Sequence, residues 1–136
     1  MDETLRDLID ESISSDGAHA DVAKIVHEMY KDNIKYSNEY GTKTHKWYIN
    51  INNTWTLMHE GFELRNLLST KVSQKFMERA LYWNIESTRS GVDDEERNTY
   101  QQRKDILNKV AVKLKQASYK NSIMRECGGL FIKQTI

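Results

Sequence analysis

The sequence has no proline anywhere in its 136 residues. Proline ends or kinks helices, so its absence favours helices that run uninterrupted. Cysteine is almost missing as well. The single Cys127 excludes an internal disulfide and fits a reducing, intracellular compartment. No apolar run approaches the about eighteen residues of a membrane span, so no contact with a membrane is expected. Charge of one sign is not in excess, because 20 Lys and Arg face 20 Asp and Glu. That balance gives no global pull toward nucleic acid or anionic lipid. The acidic, polar start MDETLRDLIDES does not read as a signal or transit peptide. A chain of this length is expected to form one domain and to hide about two-thirds of its unfolded surface.

The charge that is present is unevenly placed. Residues 1–30 hold eight acids and two bases, whereas residues 101–136 hold eight bases and two acids. Either one end meets nucleic acid while the other repels it, or the two ends pack together and neutralise each other.

Hydrophobic periodicity predicts a mostly α, α+β fold: a helical bundle with a small antiparallel β-hairpin packed on it. Leu5, Leu8, Ile9 and Ile13 share one helical face over residues 2–14. A second helix is expected from about Ala18 to Asp32, with Asp16 as its cap. Ile34 and Tyr36 suggest a short strand. Trp47, Ile49 and Ile51 then alternate with Tyr48 and Asn50, and Trp55 and Leu57 follow the Asn52-Asn53 turn. The expected buried face of this hairpin holds Trp47, Ile49, Trp55 and Leu57. From Gly61 to about Thr88 the stripe Leu64, Leu67, Leu68, Val72, Phe76, Ala80 and Trp83 has helical spacing. A further helix is expected from about Asp93 to Ala117, acidic at its start and basic at its end, as the helix dipole favours. Its stripe is Tyr100, Leu107, Val110, Leu114 and Ala117, interrupted by Arg103, and it pairs with residues 61–88 as an antiparallel hairpin. A last helix, with Ile123, Met124 and Cys127 inward, is expected to stop at Gly128-Gly129. The apolar end LFIKQTI reads as the start of further chain.

Motifs for chemistry are missing. Gly41-Thr42-Lys43-Thr44 lacks the upstream glycine of a phosphate-binding loop. The four histidines form no HExxH pattern, and Cys127 has no thiol neighbour, so no metal or cofactor is expected. Asp93-Asp94 and Glu95-Glu96 suit a helix N-terminus better than an acid/base pair. No catalytic residue is assigned. Candidates for phosphate contact are Lys109, Lys113, Lys120 and Arg125, the first three at intervals that share a helix face if one helix carries them all. Lys43 and Lys46 lie near Tyr48, which alternation turns away from the core and makes available for base stacking. Arg65 is expected to pair with Glu60 or Glu63, or to hold the hairpin. Trp47, Trp55, Leu64, Leu68 and Phe76 are the expected structural core.

Four segments, HADVAKIVHEMYKD, KWYININNTWTL, GFELRNLLSTKVSQKF and SYKNSIMREC..LF, follow one another in that order. Together they resemble the domain that precedes the superfamily III helicase in primase-helicases of poxviruses, giant viruses and some phages. The resemblance covers residues 18–132. It leaves residues 1–17 as an acidic N-terminal extension and residues 133–136 as a tail toward a downstream helicase. It implies a non-catalytic accessory domain that supports a hexameric ring and engages DNA without reading its sequence. Its partners would be copies of itself and other replication proteins. ATP and Mg would be bound only by the parent helicase, at a viral replication site in the host cytoplasm or nucleus. A protein-interaction or oligomerisation module without DNA contact is the alternative.

Overall fold

The computed structural model describes residues 1–38 and 44–132. Along the chain come α1 (Glu3–Ile13), α2 (His19–Tyr30), β1 (Ile34–Ser37), β2 (Lys46–Ile51) and β3 (Thr54–Met58), then α3 (Phe62–Leu67), α4 (Ser73–Ser87), α5 (Asp94–Lys113) and α6 (Ala117–Phe131). The fold is α+β and mostly α. The hairpin of β2 and β3 gains β1 as a third strand, so the sheet is antiparallel with order β1-β2-β3.

Asn52 and Asn53 both take positive φ, 51° and 66°, the geometry of a tight two-residue hairpin turn. That turn pairs Ile51 with Thr54, and the register then sets Trp47 opposite Met58 and Asn50 opposite Trp55. Directly opposed residues share a face. Trp47 and Trp55 therefore point to opposite faces, contrary to the expected common buried face. The inner face carries Ile34, Tyr36, Trp47, Ile49 and Met58. The outer face carries Lys35, Tyr48, Trp55 and Leu57. Trp55 is half-buried there, with the Lys35 ammonium 4.5 Å from its ring centre, and Leu57 is 45% exposed.

The helical layer builds the rest of the core. Leu64, Leu68, Val72, Phe76 and Ala80 recur every four residues, and all are buried. In an α-helix each step of four overshoots a full turn by about 40°. Such a stripe would wander off the core within a few steps. A π-helical turn at Leu68–Val72, in which the Ser73 amide donates back to the Leu68 carbonyl, widens the helix there and takes up part of the overshoot. The single helix expected over 61–88 is thus α3 and α4 joined through this turn. Ser69 and Ser73 donate from its inner side to the carbonyls of Leu114 (3.1 Å) and Ala111 (2.8 Å) on the opposing α5 segment. α4 and α5 form the expected antiparallel hairpin. Asp93 caps α5 by accepting from the Glu96 amide at 2.8 Å.

Three helix ends differ from expectation. Asp16 does not cap α2; it takes φ 55°, and Ser15 instead accepts from the Ala18 amide while donating to Asp21. α5 ends at Lys113, so Ala117 opens α6 as an exposed residue. α6 also runs through Gly128-Gly129 to Phe131. Gly128 serves packing here: a Cβ on it would lie 3.3 Å from the Tyr36 ring.

α1 shares the common core through Leu5 and Ile9. Asp10 clamps it to α4, accepting from the Arg79 guanidinium in bidentate fashion (2.9 and 2.6 Å) and from the Trp83 indole (3.2 Å). Arg103, the interruption in the α5 stripe, lies 4.4 Å over the Trp83 ring, where a cation on an aromatic face is favourable. Just past the C-terminus of α1, Tyr119 of α6 donates to the Gly17 carbonyl at 2.6 Å. Burial, with Asp16 nearby, pushes the Tyr119 hydroxyl pKa up to about 12. The Cys127 thiol is fully buried and its pKa is raised by that burial, which leaves it without thiolate character.

Candidate nucleic-acid interface

The expected basic face does not form on one helix. Lys109 and Lys113 lie one turn apart on α5, but the chain breaks after Lys113, and Lys120 belongs to α6. Lys113 is half-buried, with its ammonium 5.7 Å from the Tyr119 ring centre. Tyr48 is buried in the sheet, at 5% exposure, and is not a free stacking platform. Lys43 lies outside the described residues. Lys46 and Arg125 remain exposed, and neither makes an ion pair with another described residue.

Those two cations line, one each, two adjoining clefts that make up a surface groove periodicity did not reveal. One half, of about 410 Å³, is lined by Tyr36, His45, Lys46, Trp47, His59 and Glu60. The other half, also about 410 Å³, shares Tyr36, Trp47 and Glu60 and adds Arg65, Asn121 and Arg125. The sheet supplies the floor and α6 one wall.

Aromatic rings run through this groove into the core. His45 lies 5.3 Å from Tyr36 with planes 31° apart, and Tyr36 lies 4.6 Å from Trp47 at 36°. Trp47 meets Phe131 edge-on at 5.6 Å, and Phe131 meets His27 at 5.1 Å. The outer rings are therefore fixed by a packed ladder, which costs little further entropy when a ligand settles on them. His27 is the innermost ring. It is half-buried, and its Nε2 has no hydrogen-bond partner among the described residues. Burial, with Lys31 adding to it, lowers the His27 pKa below the ordinary histidine value.

Backbone geometry sets the rim. Glu60 (φ 52°) and Gly61 (φ 70°) turn the chain from β3 into α3. A side chain on Gly61 would strike Met124 Cε at 2.5 Å and Trp47 Cδ1 at 3.0 Å, so only glycine lets sheet and α6 approach this closely. Glu60 lies on the shared rim and lines the same cleft as Arg65 without an ion pair to it. Arg65 hydrogen-bonds Asn121 on α6 rather than Glu60 or Glu63. It ties α3 to α6 on the groove surface, which both residues line.

Among the groove residues, Lys46 and Arg125 were legible as isolated cations. Tyr36, His45, His59 and Arg65 carry no local signature, because they meet only through β1–β2 pairing and the packing of α6. Among the described residues no cluster of three or more His, Cys, Asp or Glu has the spacing to hold a metal ion, and no helix is long and apolar enough to cross a membrane. No protein-family model matches the chain, and no curated protein matches it.

Proposed function

We propose that the chain is an accessory domain, itself without catalysis, of a viral primase-helicase that replicates DNA. In this reading it joins a primase to a hexameric motor whose ATP and Mg sites lie elsewhere. It helps the ring assemble and contacts DNA without reading its sequence. The observation that carries the reading is the groove over Tyr36 and Trp47. It combines exposed cations with fixed aromatic rings, the pairing that binding to a nucleic-acid strand requires. The order of the four resembling segments supports it too. Trp47 of the second packs on Phe131 of the last, so the segments form one packed unit.

The test is a titration of the chain with DNA at rising salt. Affinity is expected to fall linearly on a log–log plot, by about tenfold between 50 and 200 mM salt for a few phosphate contacts. Binding that ignores salt, or no binding at low salt, would contradict the DNA part of the reading.

A second reading rests on α4. Met77, Leu81 and Ile85 recur every four residues on its outer side at 45, 58 and 56% exposure. Such a stripe suits a protein-interaction module without DNA contact. Mass in solution that rises with concentration, in a chain that binds no DNA, would favour it.

A further inference from the structure

The groove has an internal order that narrows the ligand. Its cations stand on the two sides of the shared rim, Lys46 on one and Arg65 and Arg125 on the other. Glu60, the one carboxylate among the described lining residues, and the Tyr36 ring are shared by the two halves. A phosphate next to Glu60 would be repelled, whereas a base has no net charge and offers a π-face to Tyr36 or His45. Phosphates therefore belong beside the cations and bases at the shared rim. Each half, at about 410 Å³, falls within the range of about 300–1,000 Å³ of small-ligand clefts. In a duplex the base faces are already stacked on one another and cannot reach the rings.

We infer that this groove binds single-stranded nucleic acid, with the strand crossing from Lys46 to Arg125 and a base stacked on His45, the exposed end of the ring ladder, beside Tyr36. This rests on the proposed contact with DNA and replaces the α5 lysines as its location. Lys109, Lys113 and Lys120 do not line the groove.

Fluorescence anisotropy with a labelled oligothymidylate and a labelled hairpin duplex tests it on the full chain. Oligothymidylate is expected to bind more tightly than the duplex. Lys46→Ala and Arg125→Ala, both at exposed positions, should each weaken it several-fold. Each should also lower the magnitude of the salt slope by about 0.7, the value for one lost phosphate contact on a single strand. His45→Ala should weaken binding with the salt slope unchanged, and Tyr36→Phe should bind like the parent. The Lys109→Ala/Lys113→Ala/Lys120→Ala triple variant should keep most of the affinity. Undiminished binding by a Lys46→Ala/Arg125→Ala double variant, alongside loss in the triple variant, would overturn the groove and leave the accessory-domain reading standing on α5. A preference for the duplex would also overturn the groove. Absence of binding to both DNAs would overturn the groove and, with it, the DNA part of the proposed function.

Discussion

At the scale of single residues, the informative positions are those where a side chain does something its neighbours in sequence do not announce. His27 is one. It occupies a helix face that looks ordinary, yet its ring ends the ladder that starts at His45. Its pKa in the folded chain is lowered, chiefly by burial. The unfolded chain therefore takes up a proton first as the pH falls. Stability is expected to be full above the ordinary histidine value of about 6.5 and to decline as pH drops below it toward the folded value. Urea unfolding between pH 7 and 5 checks this. His27→Gln, which cannot titrate, should flatten the decline, and an unchanged profile in that variant would refute the assignment. Tyr48 and Trp55 teach a related lesson. Alternation correctly sets neighbouring side chains on opposite faces. It does not say which residues of the second strand join which face. The two-residue Asn52-Asn53 turn does say so, because it fixes Trp47 opposite Met58. The register was therefore present in the sequence, carried by the turn and not by the hydrophobic pattern.

At the scale of elements, helices were legible and their ends were not. Apolar residues at steps of three and four mark α1, α2, α4 and α5, because burial of one face is what makes those segments helical. The glycine pair in α6 read as a stop, since an isolated glycine is ambiguous between a cap and a close contact until Tyr36 is placed above it. The π turn was hidden in a stripe of unbroken four-residue steps. The clamp between α1 and α4 was hidden by distance, as Asp10 and Arg79 are 69 residues apart. Asp10→Ala would leave the Arg79 guanidinium, at 8% exposure, without its carboxylate and would remove the acceptor of the Trp83 indole. Breaking a fully buried pair costs about 3–5 kcal/mol. Asp10 keeps 28% of its side chain exposed, so we expect a loss nearer ~2 kcal/mol in urea unfolding after allowing for that solvent access. A loss below ~0.5 kcal/mol would show that the clamp is surface decoration.

At the scale of the whole molecule, α2 packs on α6, while α1, which holds Glu3, Asp7, Asp10 and Glu11, packs on α2, α4 and the basic-ended α5. The acidic beginning and the basic end are neighbours in space. Yet the ion pairs of α2 among the described residues stay within that helix, Lys24 with Asp21 and Lys31 with Glu28. The contact between the two ends is apolar, through residues such as Val26, Ile123 and Phe131 in one core. Arg125 on the outer side of α6 is left free of ion pairs with described residues and faces the groove. The molecule thus presents a neutral total, a packed interior and a groove where exposed cations and rings converge. The most direct test of that picture is a two-dimensional amide NMR titration of the isotopically labelled chain with oligothymidylate. The expected result is shift changes concentrated in residues 44–47, 59–65 and 121–132, with α5 little affected. Changes centred on residues 104–113, or none at saturating oligonucleotide, would contradict the account.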